Sequence, residues 1–598
     1  MKLIVSKFHS YYNIHCSLTE FYVDAYPYTK QLLALEACRP LVRVELPPEM
    51  QHLSTPLKIN AWKRGLRNHP DKQFTEHLIQ GITQGFRIGF NYSQPLRSSK
   101  NNMISADQHP EIIDDYLANE FHLNRISLVP KDFQPSVHIS PFGVIPKRNK
   151  PGKWRLILDL SSPDHYSVNE GISKELCSLS YTSIDEIVKR IIQLGQGAQL
   201  AKVDIKQAYR NVPVHPEDRL LLGMSWKQTV YVDMTLPFGL RSAPIIFSAV
   251  ADGLQWIIEQ EGVQSLFHYL DDFITVGMPG SSGCATNLRL IKQCCEETGT
   301  PLEADKVEGP TTHLTFLGME LDSMAMQIKL PDEKLMSLRR LTNEWKGRKA
   351  GKKRELLSLI GSLTHACKAI RRGRSFLRRL IDLASSVRRL DHYVRLNLSA
   401  QSDIHWWHEF AACWNGVSML SQLKRDSPDI QLISNASGSW GCGAFSGTQW
   451  FQLQWSANTE QHHITIKELI PIVIAVAIWG KSWSGKTVQA QCDNAAVVAI
   501  INSGNSKDRE AMHLCRCLSF ITAKFNVNLF ASHIRGSDNT LADALSRRNA
   551  DYFLANFPQA QPSPTRIPSE LLDLLVVDKP DWRSPNWIRL WTSIFGMA

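Results

Sequence analysis

The chain lacks any apolar stretch long enough to cross a membrane. Its longest apolar run, Leu469 to Trp479, covers 11 residues, well short of the roughly 20 that a spanning helix needs. It reads as a buried helix instead. The N-terminus, MKLIVSKFHS, has no long apolar core of the signal-peptide kind, so no secreted or membrane role is expected. Regular cysteine spacing is also missing. The 12 cysteines include the pairs Cys294–Cys295 and Cys515/Cys517, neither of which is the CxxC of a zinc knuckle. They read as reduced thiols of an intracellular protein, cytoplasmic or nuclear. No internal repeat is present.

What the chain does have is length and localised charge. Its 598 residues are too many for one core, and 43% hydrophobic with 21% charged residues is a globular balance. Lys and Arg number 67 against 57 Asp and Glu, a net of +10. Between Lys334 and Leu390 there are 17 basic and 3 acidic residues, a net of +14, so the rest of the chain nets −4. A charge run is usually a solvated face. This concentration points to a surface that follows phosphates.

The texture changes along the chain. Residues 1–120 form an N-terminal region of unknown role, with short amphipathic stretches after residue 40. From 121 to 330, β-prone runs such as KWRLILDL, QLAKVDI, TVYVDMTL and LFHYLDDFITVG alternate with helical stretches, an α+β pattern. Residues 331–425 read as helical and basic. Strands and helices resume over 426–550, with an apolar helix in ITIKELIPIVIAVAIW. Residues 551–598 hold a Pro-rich linker, PQAQPSPTRIP, and a tail.

Two acidic motifs stand out in the 121–330 block. In KVDIKQAY, Asp204 follows a short apolar strand and an aromatic comes five residues later. In FHYLDDFITV, Asp271 and Asp272 interrupt two β-prone runs. Each alone could be a turn. Carboxylates beside apolar flanks are costly without a compensating cation, and phosphoryl transfer to a 3′-hydroxyl uses such a carboxylate cluster with two Mg2+ ions.

In order, GVIPKRNKPGKWRLILDLSSPD, VDIKQAYRNVPV, LPFGLRSAPIIF, YLDD and EADKVEGPTTHLTFLG resemble the successive motifs of the reverse transcriptases. The resemblance implies an α+β multidomain chain, with a right-hand fingers, palm and thumb followed by a further domain. It implies an RNA-directed DNA polymerase acting on an RNA template, a DNA primer and deoxynucleoside triphosphates. Asp204, Asp271 and Asp272 would hold two Mg2+ ions, with Mn2+ as an alternative. Lys147 and Arg155 would hold the incoming triphosphate. Tyr209 would be the wall that excludes a ribose 2′-hydroxyl, with Phe238 and Gly239 beneath the nucleotide. Phe238 departs from the Gln of retroviral enzymes. Lys306 is a candidate general acid; Phe316, Leu317 and Gly318 resemble the primer grip. Arg371, Arg372, Arg374, Arg378 and Arg379 would track the template–primer duplex through its phosphates.

The 426–550 segment resembles ribonuclease H, an α/β domain with four carboxylates around two metal ions. The matching positions are Asn435, Glu468, Asp493 and Asp543, with His533 near the mobile histidine. Asp538 lies close by, but the context ADALSR selects Asp543. Asn435 stands where that family has Asp, so cleavage of an RNA–DNA hybrid is expected to be weakened or lost. The order of these blocks, with LIGSLTHACKAIRRGRSFLRRL, DIHWWHEF and NASGSWGCGA, closely resembles retrotransposons of the DIRS type. In those elements a tyrosine recombinase follows, whereas this chain stops at WIRLWTSIFGMA. No Asp-Thr-Gly or Asp-Ser-Gly protease motif and no His-His/Cys-Cys integrase pattern occurs, which implies that integration needs another protein, a separate recombinase or integrase, or a longer reading frame. The rival expectation is a non-catalytic or decayed scaffold that binds nucleic acid.

Overall fold

The computed structural model describes residues 28–40, 45–99, 101–146, 152, 154–369, 371–413, 417–419, 428–525, 527–569 and 571–572. The chain divides into two units, Met1–Ser183 with Gln199–Thr311, and Ile184–Ala198 with Thr312–Ala598.

The first unit contains β1 (Ile126–Leu128), β2 (Phe142–Pro146), β3 (Trp154–Leu158), β4 (Gln199–Asp204), β5 (Gly223–Trp226), β6 (Thr229–Asp233), β7 (Leu266–Tyr269), β8 (Asp272–Gly277) and β9 (Glu308–Thr311). Its central sheet has the order β7-β8-β4-β9. β8 pairs antiparallel with both β4 and β7. β2 and β3 form a hairpin, and β1, β6 and β5 a third sheet. Ala243–Gln260 is a helix buried along nearly its whole length, as its apolar sequence requires.

The N-terminal residues share this core. Leu32, Trp62, Phe74 and Leu78 belong to the same buried cluster as Ile246, Leu254 and Ile257. Trp62 Nε1 donates to the Thr298 carbonyl at 3.0 Å. Behind the central motif, fully buried Arg210 is held by Glu120 at 2.6 Å and Asp233 at 2.7 Å. Two acidic partners satisfy a guanidinium that could not otherwise be buried.

In the second unit, β10 (His313–Phe316), β11 (Met319–Asp322) and β12 (Gln327–Lys329) form an antiparallel meander. The helices Asp332–Lys346, Lys353–Ala366, Arg378–Ser385 and Leu398–Cys413 follow, with β13 (Ala350–Lys352) paired to β14 (Tyr393–Arg395). β15 (Val417–Met419) completes the meander beside β12. The last sheet is built from β16 (Ile430–Ala436), β17 (Gly441–Ser446), β18 (Gln449–Gln454), β19 (Thr487–Cys492) and β20 (Asn528–His533). Its order is β18-β17-β16-β19-β20. The first three strands are antiparallel, and β16, β19 and β20 run parallel. The helix Ile464–Trp479 is buried around almost its whole circumference, as its apolar run predicts. Among the described residues no helix is long and apolar enough to cross a membrane.

Candidate active sites

The strand register brings the three central aspartates together. Asp204 ends β4 opposite Asp272, the first residue of β8. Tyr269 and Asp272 face each other across a two-residue turn, Leu270–Asp271, with Leu270 at φ +55°. The Ile205 N–H donates to the Asp271 carbonyl at 2.9 Å and fixes the turn beside the motif that follows Asp204. The apolar flanks Val203 and Phe273 are buried, so the ends of the two inner strands hold the carboxylates beside an apolar layer.

The electrostatics of this cluster are those of a site short of positive charge. Burial, a hydrogen bond to Asp204 and the charge of Asp271 push the Asp272 carboxyl up to about 7. Burial and then Asp204 raise Asp271 as well. Lys306, in the turn Ala304–Lys306, donates to Asp204 Oδ2 at 2.7 Å. Its ammonium is more than half exposed and does not offset three carboxylates. The donor set is all oxygen, the chemistry of a hard divalent cation. Asp204, Asp271 and Asp272 fit that group.

The turn after Asp204 is shaped by Gln207, which lies in the left-handed region at φ +52° and receives a hydrogen bond from Arg125. It opens the turn Ala208–Asn211 and places Tyr209. The Tyr209 ring packs 5.4 Å from Phe238 and 5.5 Å, edge-on, from Phe247. Burial, with Tyr181, Asp271 and Tyr269 nearby, lifts its phenol to about 12. Phe238 is 56% exposed, an apolar face left open beside Tyr209. Gly239 has φ +92°, a backbone conformation that favours glycine, and a Cβ there would come 3.1 Å from the Leu158 carbonyl, a tight contact. Arg155 is exposed on β3 opposite Ile145. Lys147 lies outside the described residues. Sequence reasoning missed Tyr181, whose ring sits 4.9 Å from that of Tyr269. Nothing in its local sequence marks it, because the pairing is tertiary.

In the second unit, Leu317 and Gly318 form the two-residue turn between β10 and β11, at φ +47° and +71°. Both positive values suit the tight turn that matches strand twist. Phe316 is buried, and Lys334 Nζ donates to the Gly318 carbonyl at 3.1 Å. The arginines of the basic stretch are not equivalent. Arg374 is exposed. Arg378 is exposed and pairs with Asp382 at 3.0 Å. Arg379 reaches buried Asp403 at 3.4 Å, which Arg516 also contacts at 3.4 Å. The side chains of Arg371 and Arg372 lie outside the described residues.

A second cluster forms at the carboxyl ends of β16 and β19. Asn435 Nδ2 donates to Asp543 Oδ1 at 3.2 Å, and Arg547 Nε reaches both Asp543 oxygens at 2.9 Å. Glu468, on the buried helix, is 3% exposed. Burial and the neighbouring charge of Asp493 push it up to about 8. Asp493 follows β19 directly, and His533 Nε2 lies 3.1 Å from its carbonyl oxygen. Sequence reasoning passed over Cys492, whose Sγ donates to Glu468 Oε2 at 3.7 Å. Its signal was adjacency to Asp493. Glu468, Cys492 and Asp493 each offer a ligand atom within 4.8 Å of the other two, while Asn435 offers an amide.

Comparison with known proteins bears on the first cluster. Residues 145–321 match the family model described as reverse transcriptase (RNA-dependent DNA polymerase). The chain is 23% identical over 460 residues to Polyprotein P3 of Commelina yellow mottle virus, covering 73% of this chain and 22% of that protein. It is 24% identical over 249 residues to the retrovirus-related Pol polyprotein from transposon 412 of Drosophila melanogaster, covering 39% and 19%. Thus it spans about a fifth of the length of these curated relatives. A solved structure of the foamy viral protease-reverse transcriptase in complex with RNA/DNA hybrid aligns with 83% of this chain and 64% of its own. Its TM-score is 0.44, at 14% identity. Asp204, Asp271 and Asp272 all fall within the matched 145–321 segment, and the chain carries a reverse transcriptase domain.

Proposed function

We propose that this chain is the RNA-directed DNA polymerase of a retrotransposon. It would extend a DNA primer on an RNA template by two-metal phosphoryl transfer. The observation that carries this reading is the register of β4 against β8, which sets Asp204 beside Asp272 and one residue from Asp271. Asp204 and Asp271 would hold the Mg2+ ions (Mn2+ as an alternative), with Asp272 completing the set. The bound ions would lower the charge on the attacking 3′-oxygen and on the departing pyrophosphate. Lys306 would give a proton to that pyrophosphate, and Arg155 and Lys147 would hold the triphosphate. Tyr209, walled by Phe238 and Phe247, would bar a 2′-hydroxyl and select deoxynucleotides. Phe316, Leu317 and Gly318 would seat the primer end. Of Arg374, Arg378 and Arg379, whose side chains are described, Arg374 would be the freest for duplex phosphates, because Arg378 pairs with Asp382 and Arg379 with Asp403.

The domain over 426–550 is read as ribonuclease H-like, with Glu468, Asp493, Asp543 and His533 as its site and Asn435 as a degenerate position. Its strand order, with three antiparallel strands followed by two parallel ones, supports that reading. RNA–DNA hybrids are then partners of both sites. The DIRS-type motifs further suggest an element of that type. A non-catalytic scaffold is disfavoured by the intact aspartate cluster.

The test is primer extension on poly-rA/oligo-dT with Mg2+, comparing the unmodified chain with Asp271→Asn. Extension by the former alone supports the polymerase. No extension by the unmodified chain favours the scaffold.

A further inference from the structure

We propose that Glu468, Cys492 and Asp493 form a single-ion site for a thiophilic divalent cation of the Zn2+ class, with the Cys492 thiolate as a ligand. This rests on reading the carboxylates of the 426–550 domain as a cation site, and it changes which cation that site prefers.

Three observations lead there. First, one ligand atom from each of the three residues lies within 4.8 Å of the other two. Cys492 Sγ and Glu468 Oε2 are 3.7 Å apart. A tetrahedral zinc with Zn–S about 2.3 Å and Zn–O about 2.0–2.2 Å sets its S···O edge at about 3.5 Å. The cation would thus take the place of the thiol proton with little movement. Second, the opposite side of the cluster is already neutralised. Asp543 accepts from Arg547 at 2.9 Å through both oxygens and from the Asn435 amide at 3.2 Å. A pair of hard ions needs Asp543 and a carboxylate at position 435. Among the described residues, the oxygens of Glu468 and Asp493 have no such ion pair. Third, Cys492 is fully buried and aimed at that carboxylate, while Asp493 is half-exposed. The site has a closed, soft end and an open end through which an ion can enter. Thiolate favours Zn2+ over Mg2+ strongly, whereas a set of oxygens alone does not.

The test uses the full chain, made metal-free and titrated with Zn2+ against a chromophoric chelator, and separately with Co2+. The proposal expects one tight Zn2+ per chain, not displaced by a large excess of Mg2+. The Co2+ form should show a thiolate-to-cobalt charge-transfer band. Cys492→Ser should abolish the band and weaken Zn2+ at least tenfold, and Asp493→Asn should weaken Zn2+ while keeping the band. Cys367→Ser, a buried thiol elsewhere in the unit, should change neither. Unaltered Zn2+ affinity in Cys492→Ser would overturn the proposal. So would a Co2+ spectrum of the unmodified chain without the band, which decides the matter even if Cys492→Ser does not fold. Hybrid cleavage by Asn435→Asp in Mg2+, on parallel preparations, reports the nuclease reading separately. Cleavage without the thiolate band would leave that reading standing and remove the zinc site.

Discussion

Lys306 Nζ donates to Asp204 Oδ2 at 2.7 Å, across 102 residues of sequence. The bond raises the Lys306 ammonium above its ordinary value, with Asp272 and Asp271 adding to the effect. The proton is therefore present at neutral pH and lies at the carboxylate cluster. Lys306→Met should lower the rate of nucleotide addition by about 100-fold or more, the scale of a lost general acid. Primer affinity should be little changed. Single-turnover extension separates the two. Loss of primer affinity with an unchanged rate would assign Lys306 to binding instead.

Tyr209 predicts sugar selectivity. Its ring is fixed between Phe238 and Phe247, so a smaller side chain opens space without disturbing the aspartates. Tyr209→Val should narrow the preference for deoxynucleotides over ribonucleotides by roughly 10–100-fold in kcat/KM. Deoxynucleotide addition should be largely retained. The ratio of the two specificity constants is the readout.

Asn435 predicts a recoverable activity. In Asn435→Asp two carboxylates would meet where Nδ2 and Oδ1 are now 3.2 Å apart. That repulsion is relieved by a divalent cation. Hybrid cleavage should be near background in the unmodified chain and rise roughly tenfold or more in the variant. Equal, brisk cleavage by both would show that the amide is no impediment.

Buried histidines predict a pH effect on the first unit. His77 and His138 are each pushed down to about 4 by burial. Unfolded, they take up protons near 6.5, while the folded chain stays neutral until about 4. Their contribution to stability is therefore full above pH 6.5 and lost as pH falls from 6.5 towards 4. Denaturant midpoints should drop over that window. His77→Leu, which removes one of these groups, should flatten the slope.

Much of this was legible in the sequence because the signals are local. The apolar flanks of Asp204 and of Asp271–Asp272 announce strands that end in carboxylates, and the register only had to join them. The apolar run from Leu469 announces a buried helix, and that makes Glu468 conspicuous. What stayed hidden is tertiary. A charge count over 334–390 treats Arg374 and Arg379 alike, yet Arg379 turns inward to Asp403, a residue buried with Arg516. Cysteine spacing gave no reason to single out Cys492, because its partner Glu468 is 24 residues away on another element. Residues 1–40 had no readable pattern and the amphipathic stretches after them named no partner, because the place of Leu32, Trp62 and Leu78 in the core with Ile246 and Leu254 depends on contacts that no window of sequence contains.

The most direct measurement is extension of a labelled DNA primer on a defined RNA template by the full chain, with Asp204→Asn alongside. Thermal melting of both proteins controls for folding. The account predicts template-directed, divalent-cation-dependent addition of deoxynucleotides by the unmodified chain, and loss of at least about 100-fold in a variant that melts normally. Extension that survives Asp204→Asn, or a folded unmodified chain that binds the duplex and adds nothing, would contradict it.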